Sequence, residues 1–467
     1  MGLLTSSKIR TTAILFEVFT VLKIVAILGL LYALVRFKVD LGIALIACMV
    51  ATAALFMMPP VDFLRTIWHT TFDLPLWHAP SAAGTDIAEP ANGPDLTMSG
   101  WYFFNKDSWQ VLLLVTFILV LSKFMKESGA LDDLTESVRN IFVDNRFVIG
   151  ALPALIGLLP MPGGALISAP MIEPAADEAG LSPDDKTYLN YWFRHVWEYS
   201  YPLYPGLILL AVITGVDISK LVTFMFPLSM AALLGGALFG LMKIPKHFRK
   251  RPCWRDVRIN LLRLLRGFWP VITIFIALLV IKPIVDKIGA FHGFTLEFIY
   301  VLVIVVPLFG LLHLGFRKSL ESLRTSINWQ IVGTIYAVLV FKDIINNSGA
   351  ATELSDVLTA WGVPPLLLFM LLPLIIGYLN GITHAYVSVA ILLLMPFLGG
   401  SNGEPDLAKI QLAYAFGFIG VLYSPVHLCL ALSIKYFNSD MNAVYRKMAL
   451  PVLLLAVVSL AIYFAWG

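Results

Sequence analysis

Residues 157–170 read GLLPMPGGALISAP, an apolar run interrupted at its centre by Pro160, Pro162, Gly163 and Gly164. Prolines remove backbone donors and glycines have little helix preference, so one straight helix cannot run through this stretch. At membrane depth, irregular backbone survives only where protein or a water-filled cavity satisfies its polar groups, and a break there points to a binding site. The stretch is therefore expected to turn back inside a membrane as a re-entrant hairpin.

The membrane itself is read from composition. Of 467 residues, 59% are hydrophobic and only 13% charged, with mean hydropathy +0.83, whereas soluble domains carry roughly 25% charged residues. A net charge of +3 gives no reason to expect nucleic acid. Cys48, Cys253 and Cys429 lie far apart, match no metal or redox spacing, and read as inert packing residues. No metal site and no cofactor is expected beyond bound sodium ions.

At about 20 apolar residues per span, ten spans are expected: 13–36, 40–60, 108–126, 188–216, 219–243, 267–288, 295–315, 329–345, 408–435 and 443–466. Two further runs, 147–175 and 364–397, are each broken near the middle and read as hairpins. Leu131–Val143 and Ala351–Trp361 are amphipathic and too polar to span, 61–107 is expected to be an exposed loop, and Glu17 and Lys23 a stabilising pair. The linker 243–266 holds nine Lys or Arg and one acidic residue, against two basic and six acidic in 61–107. By the positive-inside rule the linker is cytoplasmic, which places both termini outside a multi-pass cell (inner) membrane protein.

An ungapped offset of 220 residues aligns Trp109 with Trp329, Ser128-Gly129-Ala130 with Ser348-Gly349-Ala350, Pro153 with Pro373, Gly157 with Gly377, Ser168 with Ser388 and Pro205 with Pro425. Rare residue types agreeing at one offset read as duplication. Each half then holds five spans and one hairpin, and an odd number of crossings forces the second half to enter from the opposite side. The fold class is thus an all-α polytopic membrane protein in two inverted repeats, 1–243 and 267–467, joined by the basic linker.

The second hairpin turns at 378–388, YLNGITHAYVS, and each hairpin is followed by another broken span: YWFRHVWEYSYPLYPG at 191–206 and YAFGFIGVLYSPVH at 414–427. Half-helix N-termini at such breaks offer free N–H groups and a positive dipole end, which suit an anion, while exposed carbonyls and side-chain oxygens suit a cation such as sodium. The expected substrate-binding residues are Pro162, Gly163, Gly164 and Ser168 on the first tip, and Asn380, Gly381, Thr383, His384 and Ser388 on the second. Tyr204, Pro205, Ser424, Pro425 and His427 belong to the broken spans. Arg194, His195 and Glu198 are candidate coupling groups. With i, i+4 spacing, Arg194 and Glu198 are expected to share a helix face and neutralise one another, in a proton relay, as an anion-binding charge, or as an ion pair near the cytoplasmic interface. Glu173 either coordinates a cation or caps the first hairpin.

Two hairpins, two broken spans and an inverted duplication resemble the ion transporter superfamily. The stretch LLPMPGGALISAPMIEPAADEAGLSP at 158–183, with NYWFRHVWEYSYPLYPG at 190–206, is most similar to an uncharacterised family within it, domain-of-unknown-function family 401. The resemblance implies a scaffold part forming a homodimer and a transport part that moves like an elevator. In the dicarboxylate branch each tip bears a Ser-Asn-Thr type motif; here the second tip offers Asn380-Gly381-Ile382-Thr383, and the first has no such triplet. The expected function is secondary transport of a small anion, an organic carboxylate, coupled to a proton or sodium gradient. A cation/proton antiporter without organic substrate is the alternative, and a scaffold or intramembrane enzyme a third reading. The sequence holds no HExxH, no GxSxG and no Gly-rich phosphate loop, so no enzyme is expected.

Overall fold

A computed structural model describes residues 2–37, 39–72, 106–161, 163–246, 253–277, 280, 284, 300–400 and 403–466. Among these residues the chain is helical throughout and no strand is formed. Five helices are long and apolar enough to cross a membrane: Leu15–Arg36, Ser108–Glu127, Ile218–Lys243, Trp254–Ile276 and Met441–Trp466. The expected spans at 267–288 and 295–315 lie partly outside the described residues, as does most of the 61–107 loop. The described start of that loop is not irregular, because Pro60–Thr71 is a helix with Pro60 at its first position, where a missing N–H costs nothing.

The chain divides into two compact units that cut across the sequence halves. One comprises residues 1–113, 329–363 and 392–397; the other comprises 114–328, 364–391 and 398–467. In the first unit, Lys23 does not pair with Glu17. These residues are six apart and fall on different helix faces, and Lys23 meets Glu353 at 3.7 Å while Glu17 accepts from the Trp361 indole at 2.9 Å.

The second unit holds the first interrupted run, residues 364–391 of the second, and both broken spans. Asn145–Gly157 and Gly164–Glu178 form the arms of the first interrupted run, and Pro365–Asn380 begins the second, followed at once by a helix at Thr383–Tyr386. At 13 and 15 residues, the first two arms are too short to cross a bilayer that requires about 20. The broken spans appear as Pro183–Arg194 and Pro205–Thr214, and as Leu407–Leu422 and Leu428–Phe437. Several boundaries repeat at the 220-residue offset: helices start at Ala130 and Ala350, and at Asn145 and Pro365. Gly129 and Gly349, which precede two of them, have φ of 76° and 74°.

The amphipathic helix Ala130–Ile141 packs against Trp254–Ile276, where Arg263 of the basic linker reaches Glu136 at 2.8 Å and Asp133 at 3.8 Å. Packing around the second interrupted run depends on small residues. A Cβ on Gly377 would strike the Gly417 carbonyl oxygen, and one on Gly420 would strike that of Leu374, so Pro365–Asn380 and Leu407–Leu422 cross backbone against backbone. Gly377→Ala should therefore lower stability by about 1–3 kcal/mol through overpacking. Gly333→Ala, in a helix interior with nothing within 4 Å of the added methyl, should be neutral or gain about 0.5–1 kcal/mol. Thermal unfolding of both variants in detergent measures the contrast.

Candidate functional site

The first broken span opens at Arg194 rather than at the later prolines. The helix Pro183–Arg194 ends there, and the next does not start until Pro205, so residues 195–204 supply ten positions of turn. This removes the helical register that would place Arg194 above Glu198, and the expected ion pair does not form. Arg194, only 2% exposed, instead turns onto the interruption of the first run. Its Nη2 donates to the carbonyls of Leu159 at 3.1 Å and Met161 at 3.4 Å, and its Nη1 to the Tyr204 hydroxyl at 2.7 Å. Tyr204 donates onward to the Gly157 carbonyl at 2.5 Å. Such burial excludes an arginine snorkelling to lipid headgroups. The Leu159, Met161 and Gly157 carbonyls that the Pro160-centred break sets free are thereby satisfied, and the Tyr204 hydroxyl links the two donors.

Glycine at the tip has a defined purpose. Gly163 sits in the left-handed region at φ 68°, and a Cβ on Gly164 would lie 2.6 Å from both Nε and Nη2 of Arg194. The guanidinium can lie against the start of the Gly164–Glu178 helix only because that position has no side chain. Its Nε hydrogen is buried with no partner among the described residues. Pro162 lies outside the described residues. Ser168 faces away from this point: fully buried, it donates to Asn190 Oδ1 at 2.6 Å, while Asn190 Nδ2 donates to the Ala165 carbonyl at 2.8 Å and Ser433 at 3.2 Å.

The second tip meets the second break. Gly381, at φ 64°, would place a Cβ 2.7 Å from Ser424 Oγ and 2.9 Å from the His427 nitrogen. His427 Nδ1 donates to the Gly381 carbonyl at 2.7 Å. Thr383 donates to Glu198 Oε2 at 3.0 Å, and a Cβ on Gly206 would lie 2.5 Å from the Thr383 methyl, so the tip also touches the first break. Among the described residues, Asn380 Oδ1 and Ser424 Oγ are buried without partners. Of the remaining expected residues, Ser388 bonds only the local Ala385 carbonyl at 2.8 Å, Pro425 is exposed, Pro205 is the first residue of its helix, and His384 is half-buried with no hydrogen bond to a described residue. Glu173 accepts from Tyr436 at 2.7 Å.

Between the two breaks stand His195, Glu198 and His427. His195 Nδ1 donates to the Tyr191 carbonyl at 2.6 Å, its Nε2 lies 3.8 Å from Glu198 Oε1, and the two histidine Nε2 atoms are 3.2 Å apart. Tyr191 packs against both rings and Phe418 against His195, with Tyr199 behind Phe418. Cys429 Sγ joins both histidine rings, the three ligand atoms lying within 4.8 Å of one another. Cys429 was not among the sequence-expected residues, because neither histidine is close to the other in sequence and only the fold joins positions 195 and 427. Asn190, Tyr414 and Tyr191 also escape a reading by breaks: each sits inside a regular helix and reaches a freed or helical carbonyl of another element.

The geometry assembles a buried cation with an open N–H, a carboxylate with a hydroxyl donor, and two unpartnered oxygens, all at helix breaks. Tyr204→Phe would strip partners from Arg194 Nη1 and the Gly157 carbonyl together. Leaving buried polar groups unpaired costs about 1–3 kcal/mol, so a clear drop in the melting temperature of the detergent-purified protein is expected. An unchanged value would show the Tyr204 bridge to be dispensable. The family model described as "Protein of unknown function (DUF401)" matches residues 97–465. No curated protein matches the chain.

Proposed function

We propose that this chain, which belongs to the family of unknown function DUF401, is a secondary active transporter. It moves a small organic carboxylate coupled to a proton or sodium gradient, in the manner of the ion transporter superfamily. The observation that carries the reading is Arg194: a guanidinium 2% exposed, fixed by the Leu159 and Met161 carbonyls of the first tip and by the Tyr204 hydroxyl, with its Nε–H unpartnered among the described residues. An uncompensated buried cation is costly, and an anion that docks on it removes that cost. The adjoining N-termini at Gly164, Pro205 and Leu428 add positive dipole ends on the same breaks.

Inverted repeats, re-entrant hairpins and elevator motion are parts of the same proposal. Support for the duplication comes from helix starts and αL glycines that recur 220 positions apart. Support for the hairpins comes from arms too short to span, tipped by Gly163 and Gly381. A duplicated fold of this kind can exchange the conformations of its halves and so face either side at similar energy. His195 and Glu198 are the proposed coupling groups, placed beside Thr383 of the second tip.

One observation favours the cation/proton antiporter instead. Asn380 Oδ1 and Ser424 Oγ are buried without partners among the described residues, and oxygen ligands of this kind suit sodium. The two readings separate in proteoliposomes. Under the carboxylate reading, uptake of a labelled di- or tricarboxylate follows an imposed sodium or proton gradient and falls at least about tenfold in Arg194→Ala, the loss of about 1.4 kcal/mol or more of binding. Sodium-dependent proton flux with no carboxylate present, undiminished in Arg194→Ala, would favour the antiporter. No movement of any solute or ion would end both.

A further inference from the structure

The histidine pair carries information that transport of an anion does not require. Each Nδ1 faces a backbone carbonyl, Tyr191 for His195 and Gly381 for His427, at 2.6 and 2.7 Å. A carbonyl oxygen can only accept, so each Nδ1 carries the hydrogen and each neutral ring leaves Nε2 as a bare lone pair. These two lone pairs point at one another across 3.2 Å. Two acceptors held face to face repel unless something electron-poor stands between them.

We infer that His195 Nε2, His427 Nε2 and Cys429 Sγ form a binding site for a thiophilic transition-metal ion of the zinc type, with Glu198 as fourth ligand. Two imidazole nitrogens on a tetrahedral zinc, each at 2.0–2.1 Å, stand about 3.3 Å apart, close to the 3.2 Å observed. The thiol is buried at 7% exposure and within 4.8 Å of both rings. Glu198 Oε1 lies 3.8 Å from His195 Nε2, so a small side-chain movement brings the carboxylate to the ion. On coordination the thiol proton leaves to solvent, and a thiolate plus a carboxylate balance a divalent charge. A neutral assembly is far less costly to keep in a buried, apolar surround than a bare cation.

The outer contacts fit the same purpose. Metal-bound histidines usually donate the second ring N–H to a carbonyl or carboxylate, which fixes the tautomer and aims the lone pair. Both histidines here do so, and Glu198 Oε2 is held in turn by the Thr383 hydroxyl at 3.0 Å. Soft sulfur together with imidazole selects zinc or copper over magnesium or calcium. The ion would tie the first break, through His195 and Glu198, to the second, through His427 and Cys429. The site shares His195 and Glu198 with the proposed coupling groups, but none of its ligands hydrogen-bonds to the Arg194 guanidinium, whose partners are Tyr204, Leu159 and Met161, so zinc binding is read separately from carboxylate binding.

The test uses the full chain in detergent, stripped with a chelator and titrated with Zn²⁺ alone and with Co²⁺ as spectroscopic stand-in. One ion per chain is expected, with a thiolate-to-cobalt charge-transfer band. Cys429→Ser should abolish the band and, with His427→Gln, weaken zinc binding by about a hundredfold or more, since even outer-shell partners are worth 10–100-fold. Cys48→Ser and Cys253→Ser should leave both readouts unchanged. Absence of stoichiometric binding, a cobalt spectrum without the thiolate band, or zinc affinity undiminished by Cys429→Ser would each overturn the site. The wild-type cobalt spectrum decides the matter even if a ligand variant fails to fold. A histidine pair that only shares a proton gives no band and no zinc binding, and so counts against it.

Discussion

Backbone carbonyls released by broken helices must find donors, and in a chain this apolar the donors cannot be water at every position. The second unit meets that demand with side chains sent from one break to another. Gly157 is served by Tyr204, Leu159 and Met161 by Arg194, Tyr191 by His195, Glu198 by Tyr414, Gly381 by His427, and Leu422 by Tyr191. Remove one break and the donors that serve its neighbours lose their orientation. The interruptions in the helices and the polar residues around them therefore form one mutually dependent set.

This dependence explains why the site is polar yet closed. Residues such as Arg194 and His195 are brought to low exposure because the backbone needs them, and what they do not spend on the backbone is left for chemistry. Arg194 retains an Nε hydrogen, Asn380 and Ser424 retain oxygens, and the two histidines retain facing lone pairs. Close approach is secured by absent side chains at Gly157, Gly164, Gly206 and Gly381, where an added Cβ would fall between 2.5 and 2.7 Å from a neighbouring atom. The proposed transport reaction draws on the first of these leftovers and the proposed metal site on the last.

Much of this arrangement is legible in the sequence because its cause is local. Pro160 with the glycine pair, Asn380-Gly381, the proline-rich turn before Pro205 and Tyr423-Ser424-Pro425 all interrupt helices as proline and glycine chemistry requires. The 220-residue offset likewise anticipates helix starts at Ala130 and Ala350. What local reasoning misses depends on where a helix ends. An i, i+4 rule assumes an unbroken helix, and because the helix stops at Arg194 the Arg194–Glu198 pairing gives way to Leu159, Met161 and Thr383. Cys429 is invisible for another reason: its partners lie 2 and 234 positions away, and no spacing rule spans the second distance. Glu17 and Lys23 fail on simple helical geometry, since six residues do not bring two side chains onto one face.

The central claim is that Arg194 presents a charge kept for an anionic ligand rather than for the fold alone. The most direct measurement is the thermal stability of the detergent-purified chain across a panel of mono-, di- and tricarboxylates at constant ionic strength, beside Arg194→Lys. At least one carboxylate should raise the melting temperature of the wild type in a saturable way. Lysine, lacking the fork of donors that holds both tip and ligand, should lose that rise. Equal shifts in both proteins, or no shift with any carboxylate, would contradict it.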